Sequence, residues 1–394
     1  MNINTRINYF DKVKIYSIIA TSRSGSDYLQ SLFDDHPQVL TFNGSLPLYS
    51  QFLNKINFED NSNKNIKLTI TKFINSFFFL LNTKFDKEEG KNTLGEKKNK
   101  SIQISAHKFS KILFYFINKK SFTKKNFYLG IYFAYNVCIH RNFSKIKVLL
   151  LHPHNLEEVK LFKNDFKDCF YLVTIRHHVA AYYSTIYNLS KHNPKKFSNI
   201  KHSFITFYRC FTDSDIFEKY KLKYLCIRLE DLPHKKTINA ICKIMKIKFS
   251  VKLLKPTFAG LKWNGDKKQT RDYNDKWSKD RTYNFWREKL SPRDQFFLNF
   301  FFYKKLKHYK YSFYKLNYKY IFSFFFLSLM PTSFEKKFLN LKYFLLNIKK
   351  KNTIKKKIEF LYDYTFYFRR ILVCWSIYLK FFTKHKNKFL FIKI

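Results

Sequence analysis

The stretch Ile15-Tyr16-Ser17-Ile18-Ile19-Ala20-Thr21-Ser22-Arg23-Ser24-Gly25-Ser26-Asp27-Tyr28-Leu29-Gln30-Ser31-Leu32 decides the fold. Ile15–Ala20 reads as an apolar strand, Thr21–Gly25 as a tight loop and Ser26 onward as a helix start. Leu29, Leu32 and Phe33 are spaced so that one helical stripe faces a sheet. Asp34-Asp35-His36-Pro37 stops the helix, because proline restricts the residue before it. A strand, a short loop and a helix N-terminus together aim backbone N–H groups at one point, as a phosphate or phosphosulfate requires. Gly25 lets the backbone come close to an anion, Ser24 and Ser26 supply hydroxyls, and Arg23 adds a planar, permanently charged fork. The loop is not the nucleoside triphosphatase loop, since there is no G-x-x-x-x-G-K-[ST].

A second candidate anion site follows the run Phe170–Ile175: Arg176-His177-His178-Val179-Ala180-Ala181-Tyr182-Tyr183-Ser184. Arg176 stands at the C-terminal end of a strand, where open α/β sheets place ligands. Ser184, eight residues on, falls about two turns into the next helix. Further strands are expected at Lys147–Leu151 and Tyr224–Arg228. Helices are expected at Tyr28–Phe33, Phe127–His140, Ala180–Leu189 and Lys236–Met245. The alternation of strands and helices from Lys14 to Lys315 predicts α/β architecture: a three-layer α/β/α domain with a mainly parallel sheet.

Two such sites in this order bring a family into view. The sequence resembles the sulfotransferases that use 3′-phosphoadenosine 5′-phosphosulfate, whose fold is P-loop-like. Thr21–Ser26 resembles their loop for the 5′-phosphosulfate, in the arginine-bearing variant of bacterial and carbohydrate-type members. Arg176 and Ser184 stand at the separation of the family's 3′-phosphate pair. Gln30–Val39, Ile227–Leu232 and Trp286–Ser291 also resemble family segments, in the same order. The resemblance implies a cofactor, 3′-phosphoadenosine 5′-phosphosulfate, held by Ser22, Arg23, Ser24, Gly25, Ser26, Asp27, Arg176 and Ser184. Asp27 departs from the serine or threonine of many members; at a helix N-terminus it can point outward and favour the dipole. The implied activity is sulfuryl transfer to a hydroxyl, or alternatively an amine, of a carbohydrate or glycolipid.

Such a transfer needs positive charge on the departing bisphosphate, which Arg23 supplies, and a base for the acceptor proton. No metal is expected. His152 and His154 end an apolar run, and imidazole is the side chain poised near neutral pH. They precede Arg176 by 24 and 22 residues, and the resembling cytosolic members carry a histidine about twenty residues before their arginine. The competing reading is that both histidines only hydrogen-bond the turn at Pro153. His107 and the His177-His178 pair are further candidates. Glu230 and Asp231 are read as ion-pair partners of Arg228 or Arg176. The acceptor pocket is expected from variable loops at 43–125 and 191–215.

The chain has 394 residues, a net charge of +47, 48 Phe and 28 Tyr. Phe, Tyr, Lys, Asn and Ile are inflated together, so part of the charge is a solvated background that selects no partner. Six scattered cysteines without a C-x-x-C pair argue against a zinc site or disulfide framework and suit a reducing compartment. No apolar run has the length of a membrane-spanning helix, and Ile15–Ala20 is too short for a secretory signal. The expected organisation is a lead at 1–13, the α/β domain at 14–315 and a basic, aromatic-rich helical extension at 316–394. Residues 301–394 hold 22 Lys and Arg against 3 acids, which suggests peripheral attachment to an anionic membrane at its cytoplasmic face. Nucleic acid is not an expected partner. The alternative from another class is a non-catalytic, basic membrane- or polyanion-binding protein on a decayed nucleotide fold.

Overall fold

The computed structural model describes all residues except 22, 83–93, 155, 214, 233, 266–284, 312–317 and 381–394. Five strands form one sheet: β1 Lys14–Ala20, β2 Val39–Leu40, β3 Val148–His154, β4 Phe170–Ile175 and β5 Tyr224–Arg228. Their order is β2-β3-β1-β4-β5, and every pairing is parallel. The first strand is central, and the chain leaves it toward β2 and β3 on one side and β4 and β5 on the other. That reversal opens a crevice at the strands' C-terminal edge.

The principal helices are α1 Ile3–Asp11, α2 Ser26–Phe33, α3 Asn63–Phe77, α4 Ala106–Lys120, α5 Lys124–Cys138, α6 Leu156–Asp165, α7 His178–Tyr183, α8 Ile200–Thr212 and α9 Lys235–Met245. After them come α10 Pro292–Phe301, α11 Tyr318–Leu329, α12 Leu341–Lys349 and α13 Ile354–Lys380. Tyr16 on β1 donates through its hydroxyl to Ile244 O of α9, 2.9 Å away. Tyr16 pairs with Phe170, so Tyr171 faces the opposite side of the sheet, where its ring meets Phe162 of α6. Helices therefore cover both faces, giving the three layers. The strands read as continuous apolar runs because both faces are buried: Ile18, Ile19, Val148, Leu149, Leu150, Leu172 and Val173 are all inaccessible to solvent.

Two segments expected to be variable loops contain well-formed helices. Residues 43–125 contain α3 and α4, started by the side chains of Ser62 and Ser105, which accept from backbone N–H groups three residues on. Residues 191–215 contain α8, capped in the same way by Asn199. The apolar spacing lost contrast there, because lysine and asparagine crowd around the aromatic residues of each buried stripe.

Helices α11 and α13 pack against the α/β core. Phe324 stacks on Phe297 of α10, and Phe366 meets Phe204 of α8. Arg370 on α13 is 1% exposed, and its Nε lies 3.0 Å from Oε1 of Glu335, which is fully buried. The other oxygen of Glu335 accepts from the Thr332 N–H and hydroxyl. A charge pair withdrawn this far from water fixes α13 on the body. Among the described residues no helix is long and apolar enough to cross a membrane.

Candidate active site

The Thr21–Gly25 loop leaves β1 and is tied to the neighbouring strand. The Thr21 N–H and hydroxyl both reach Thr174 O, at 3.3 and 3.0 Å. The Ser24 hydroxyl donates to Thr21 O at 2.8 Å, so the Thr174 hydroxyl, 2.8 Å from Ser24 Oγ, is the donor in that second contact. Ser24 was expected to face an anion; its hydroxyl proton is instead used inside the loop, setting the curvature. Arg23 sits at φ 48°, a left-handed conformation uncommon for a residue with a side chain. Such conformations persist where the surroundings over-determine them, as the ties from Thr21 and Ser24 do here.

Gly25 is the N-cap of α2 at φ 80°, and α2 receives no side-chain cap there. A helix N-terminus opened by glycine aims its first N–H groups out of the turn, the arrangement that suits an anion. Ser26 opens the helix in a buried position. Ser22 lies outside the described residues. Gly25 also lies close to Leu229, whose side chain would have to shift to admit a Cβ there. Gly25→Ala is expected to lose about 2–4 kcal/mol through left-handed strain and overpacking. Denaturant unfolding measures this, and adding Leu229→Ala should recover only the packing share.

Arg176 begins the loop after β4. Because Ala20 pairs with Thr174, Arg23 and Arg176 leave adjacent strands at the same edge of the sheet. Arg176 is half-buried, with its guanidinium 5.7 Å from the Phe285 ring. Glu230, at the end of the next strand, is buried; Oε1 accepts from His177 N at 3.2 Å and Oε2 from the Tyr311 hydroxyl at 2.8 Å. Burial pushes the Glu230 carboxyl up, against the pull of the Arg176 charge. Asp231 pairs with Arg228. Ser184 is buried where the helix continuing from α7 turns π-helical over Ser184–Asn188, and Asn188 Nδ2 donates to its hydroxyl at 3.3 Å. Single π-turns inside helices recur at functional sites.

The two histidines of β3 are brought together by an irregularity in the pairing. Ser17 pairs with Leu151 but Ile19 with His154, so β3 carries an extra residue around Pro153. His154 turns to φ 75°, and its Nδ1 comes to 3.3 Å from His152 Nε2. His152 is fully buried, its Nδ1 2.8 Å from Gln30 Oε1. The Gln30 amide NH₂ is directed at Thr41 Oγ1, Phe42 O and Gly44 O. Gln30 must therefore accept from His152, which places the His152 proton on Nδ1. His154 then donates from Nδ1 to His152 Nε2, so the lone pair of the His154 ring lies on Nε2. The Asp27 carboxylate does not point outward: it turns inward, with Oδ1 3.8 Å from His152 Nδ1. Helix α2 thus carries two of the groups around His152, Asp27 and Gln30, on its first turns. Gln30 was quoted in the sequence only as part of a family-like segment; nothing in its spacing marked it as the partner of a histidine 122 positions away.

The remaining histidine candidates lie elsewhere or are locked. His177 stacks on Trp286, and burial with the Arg287 and Arg176 charges lowers it to about 3. His178 stacks on Tyr309 and is lowered well below the usual range, chiefly by burial. Both are neutral packing groups at physiological pH. His107 is exposed near the start of α4.

The fold and site define a parallel α/β domain whose C-terminal sheet edge gathers two arginine loops and a histidine pair. Comparison with models of known families finds no match, and comparison with curated proteins finds none. Among solved structures the chain is similar to the sulfotransferase domain from the Synechococcus PCC 7002 olefin synthase. That likeness has a TM-score of 0.41 and 16% identity, covering 71% of this chain and 90% of that one.

Proposed function

We propose that the protein is a sulfotransferase using 3′-phosphoadenosine 5′-phosphosulfate, with a hydroxyl or amine of a carbohydrate or glycolipid as acceptor. The observation that carries this reading is the placement of Arg23 and Arg176 at the ends of adjacent parallel strands, one beside a helix N-terminus opened by Gly25. The donor set fits the nucleotide: helix N–H groups, Ser26 and Arg23 suit its 5′ end, and Arg176 with Ser184 its 3′-phosphate. When bound, the nucleotide supplies the sulfuryl group and departs as the bisphosphate. Arg23 binds anionic oxygens through its planar fork and offsets the charge that develops on the leaving side. His154 takes the acceptor proton at Nε2. Gln30 and His152 hold its ring, and Asp27 favours positive charge on the pair.

His154→Ala is expected to lower kcat about 100-fold or more while bisphosphate affinity stays within about threefold of wild type, the range of general-base contributions. Single-turnover sulfate transfer and calorimetry measure the two effects; equal loss in both would remove His154 from the base role. The reading as a whole is tested by titrating the full chain, in parallel, with adenosine 3′,5′-bisphosphate, ATP and an oligonucleotide. Saturable bisphosphate binding that neither competitor reproduces supports it. Salt-sensitive oligonucleotide binding with no nucleotide response would support a polyanion-binding protein instead.

A further inference from the structure

Helix α13 is apolar on two opposite sides. Phe366, Arg370, Cys374 and Ile377 face the body and are buried. Ile354, Ile358, Leu361, Phe368, Leu372 and Leu379 are all exposed. At 100° per residue these six fall within an arc of about 80° on the side away from the packed face. An exposed apolar stripe more than six turns long has no role in holding α13 to the protein, which the buried face already does. Helix α12 flanks it, with Phe344 against Phe360 and Tyr364. It buries none of its own residues, and Leu341 and Leu345 are exposed.

Positive charge gathers at one end of this stripe. Lys349, Lys350, Lys355, Lys356 and Lys357 are exposed at its N-terminal end. Residues 318–380 hold 13 Lys and Arg against 3 acids, and one acid, Glu335, is consumed inside by Arg370. An apolar stripe joined to a cationic cluster matches the boundary of an anionic bilayer, where acyl chains lie just beneath negative headgroups. A second copy of this chain is a poor occupant, because it would bring two strongly basic surfaces together. Nucleic acid offers no acyl layer to receive the aliphatic stripe.

We propose that the outward face of α12 and α13 docks the protein on an anionic lipid surface, the apolar stripe of α13 entering the headgroup boundary and the lysines meeting lipid phosphates. The proposal stands apart from the sulfotransferase reading, since none of these residues belongs to the candidate active site.

The test is co-sedimentation of the full chain with vesicles of phosphatidylglycerol and phosphatidylcholine in equal parts, and of phosphatidylcholine alone. Two surface variants are compared: Ile358→Asp/Phe368→Asp/Leu372→Asp, and Lys355→Gln/Lys356→Gln/Lys357→Gln. Truncation is avoided because it would expose the packed face of α13. Wild type is expected to partition to the mixed vesicles at least tenfold more strongly than to phosphatidylcholine. Each variant should lose about tenfold or more of that partition, given roughly 1 kcal/mol per basic residue at such surfaces. Unchanged circular dichroism and thermal unfolding show that the variants fold. The proposal is overturned if folded variants partition like wild type. It is equally overturned if the aspartate variant abolishes a wild-type dimer in solution while vesicle binding is the same, or if wild type binds oligonucleotide but neither vesicle.

Discussion

Glu335→Gln is expected to destabilise the protein by about 3–5 kcal/mol, the cost of leaving a buried charge without its counter-ion. Arg370 has nowhere to go: it is 1% exposed, with Nη2 donating to Met330 O at 2.9 Å and its guanidinium carbon 5.0 Å from the Tyr367 ring centre and 5.3 Å from that of Phe297. Glutamine keeps an acceptor for the Thr332 N–H, so the loss isolates the charge rather than the loop contact. Adding Arg370→Met should recover most of it, because a neutral, well-packed pair does not carry the desolvation cost of the ions. Urea unfolding of both single variants and the double closes the cycle. A Glu335→Gln change within about 1 kcal/mol of wild type would mean that the ion pair does not clamp α13 to the body.

The second large effect concerns the two arginines. Arg23→Ala is expected to reduce kcat/KM for sulfate transfer by roughly 100-fold or more, and mostly through kcat, because charge-assisted hydrogen bonds worth about 1.5–3 kcal/mol each are lost where negative charge grows. Arg176→Ala should act mainly on KM, since a contact at the far end of the nucleotide is the same before and during transfer. Arg23→Lys should recover only part of the loss, an ammonium lacking the fork. Steady-state kinetics with varied nucleotide separates the patterns. Equal kcat losses in Arg23→Ala and Arg176→Ala would argue that both arginines face the reacting group.

The parallel core was legible because buried strands leave uninterrupted apolar runs. Phe170–Ile175 and Tyr224–Arg228 are strands at the bounds the sequence predicts, and Lys14–Ala20 begins one residue earlier. The third strand extends past Leu151 to His154, beyond its apolar run, because the extra residue near Pro153 lets the chain stay paired while it bends. The edge strand Val39–Leu40 was hidden: two residues carry no alternation to read. In the candidate site, Arg23, Gly25, Arg176 and Ser184 were singled out by residue type and spacing, which are local signals. The Leu229 side chain against Gly25, the inward turn of Asp27 and the Gln30–His152 bond depend on contacts between distant segments. The same limit hid the pairing of Glu335 with Arg370. Sequence charge density marked the C-terminal region as basic, while the second apolar side of α13 becomes visible only once its packed side is known.

The central claim is that two loops grip opposite ends of one doubly phosphorylated nucleotide, and calorimetry with two ligands tests it most directly. Adenosine 3′,5′-bisphosphate should bind wild type at least tenfold more tightly than adenosine 5′-monophosphate, the difference being the contacts to the extra phosphate. Arg176→Ala should erase that difference, whereas Arg23→Ala should weaken both ligands and preserve it. Two ligands of equal affinity for wild type, or a preference that survives Arg176→Ala, would contradict the account.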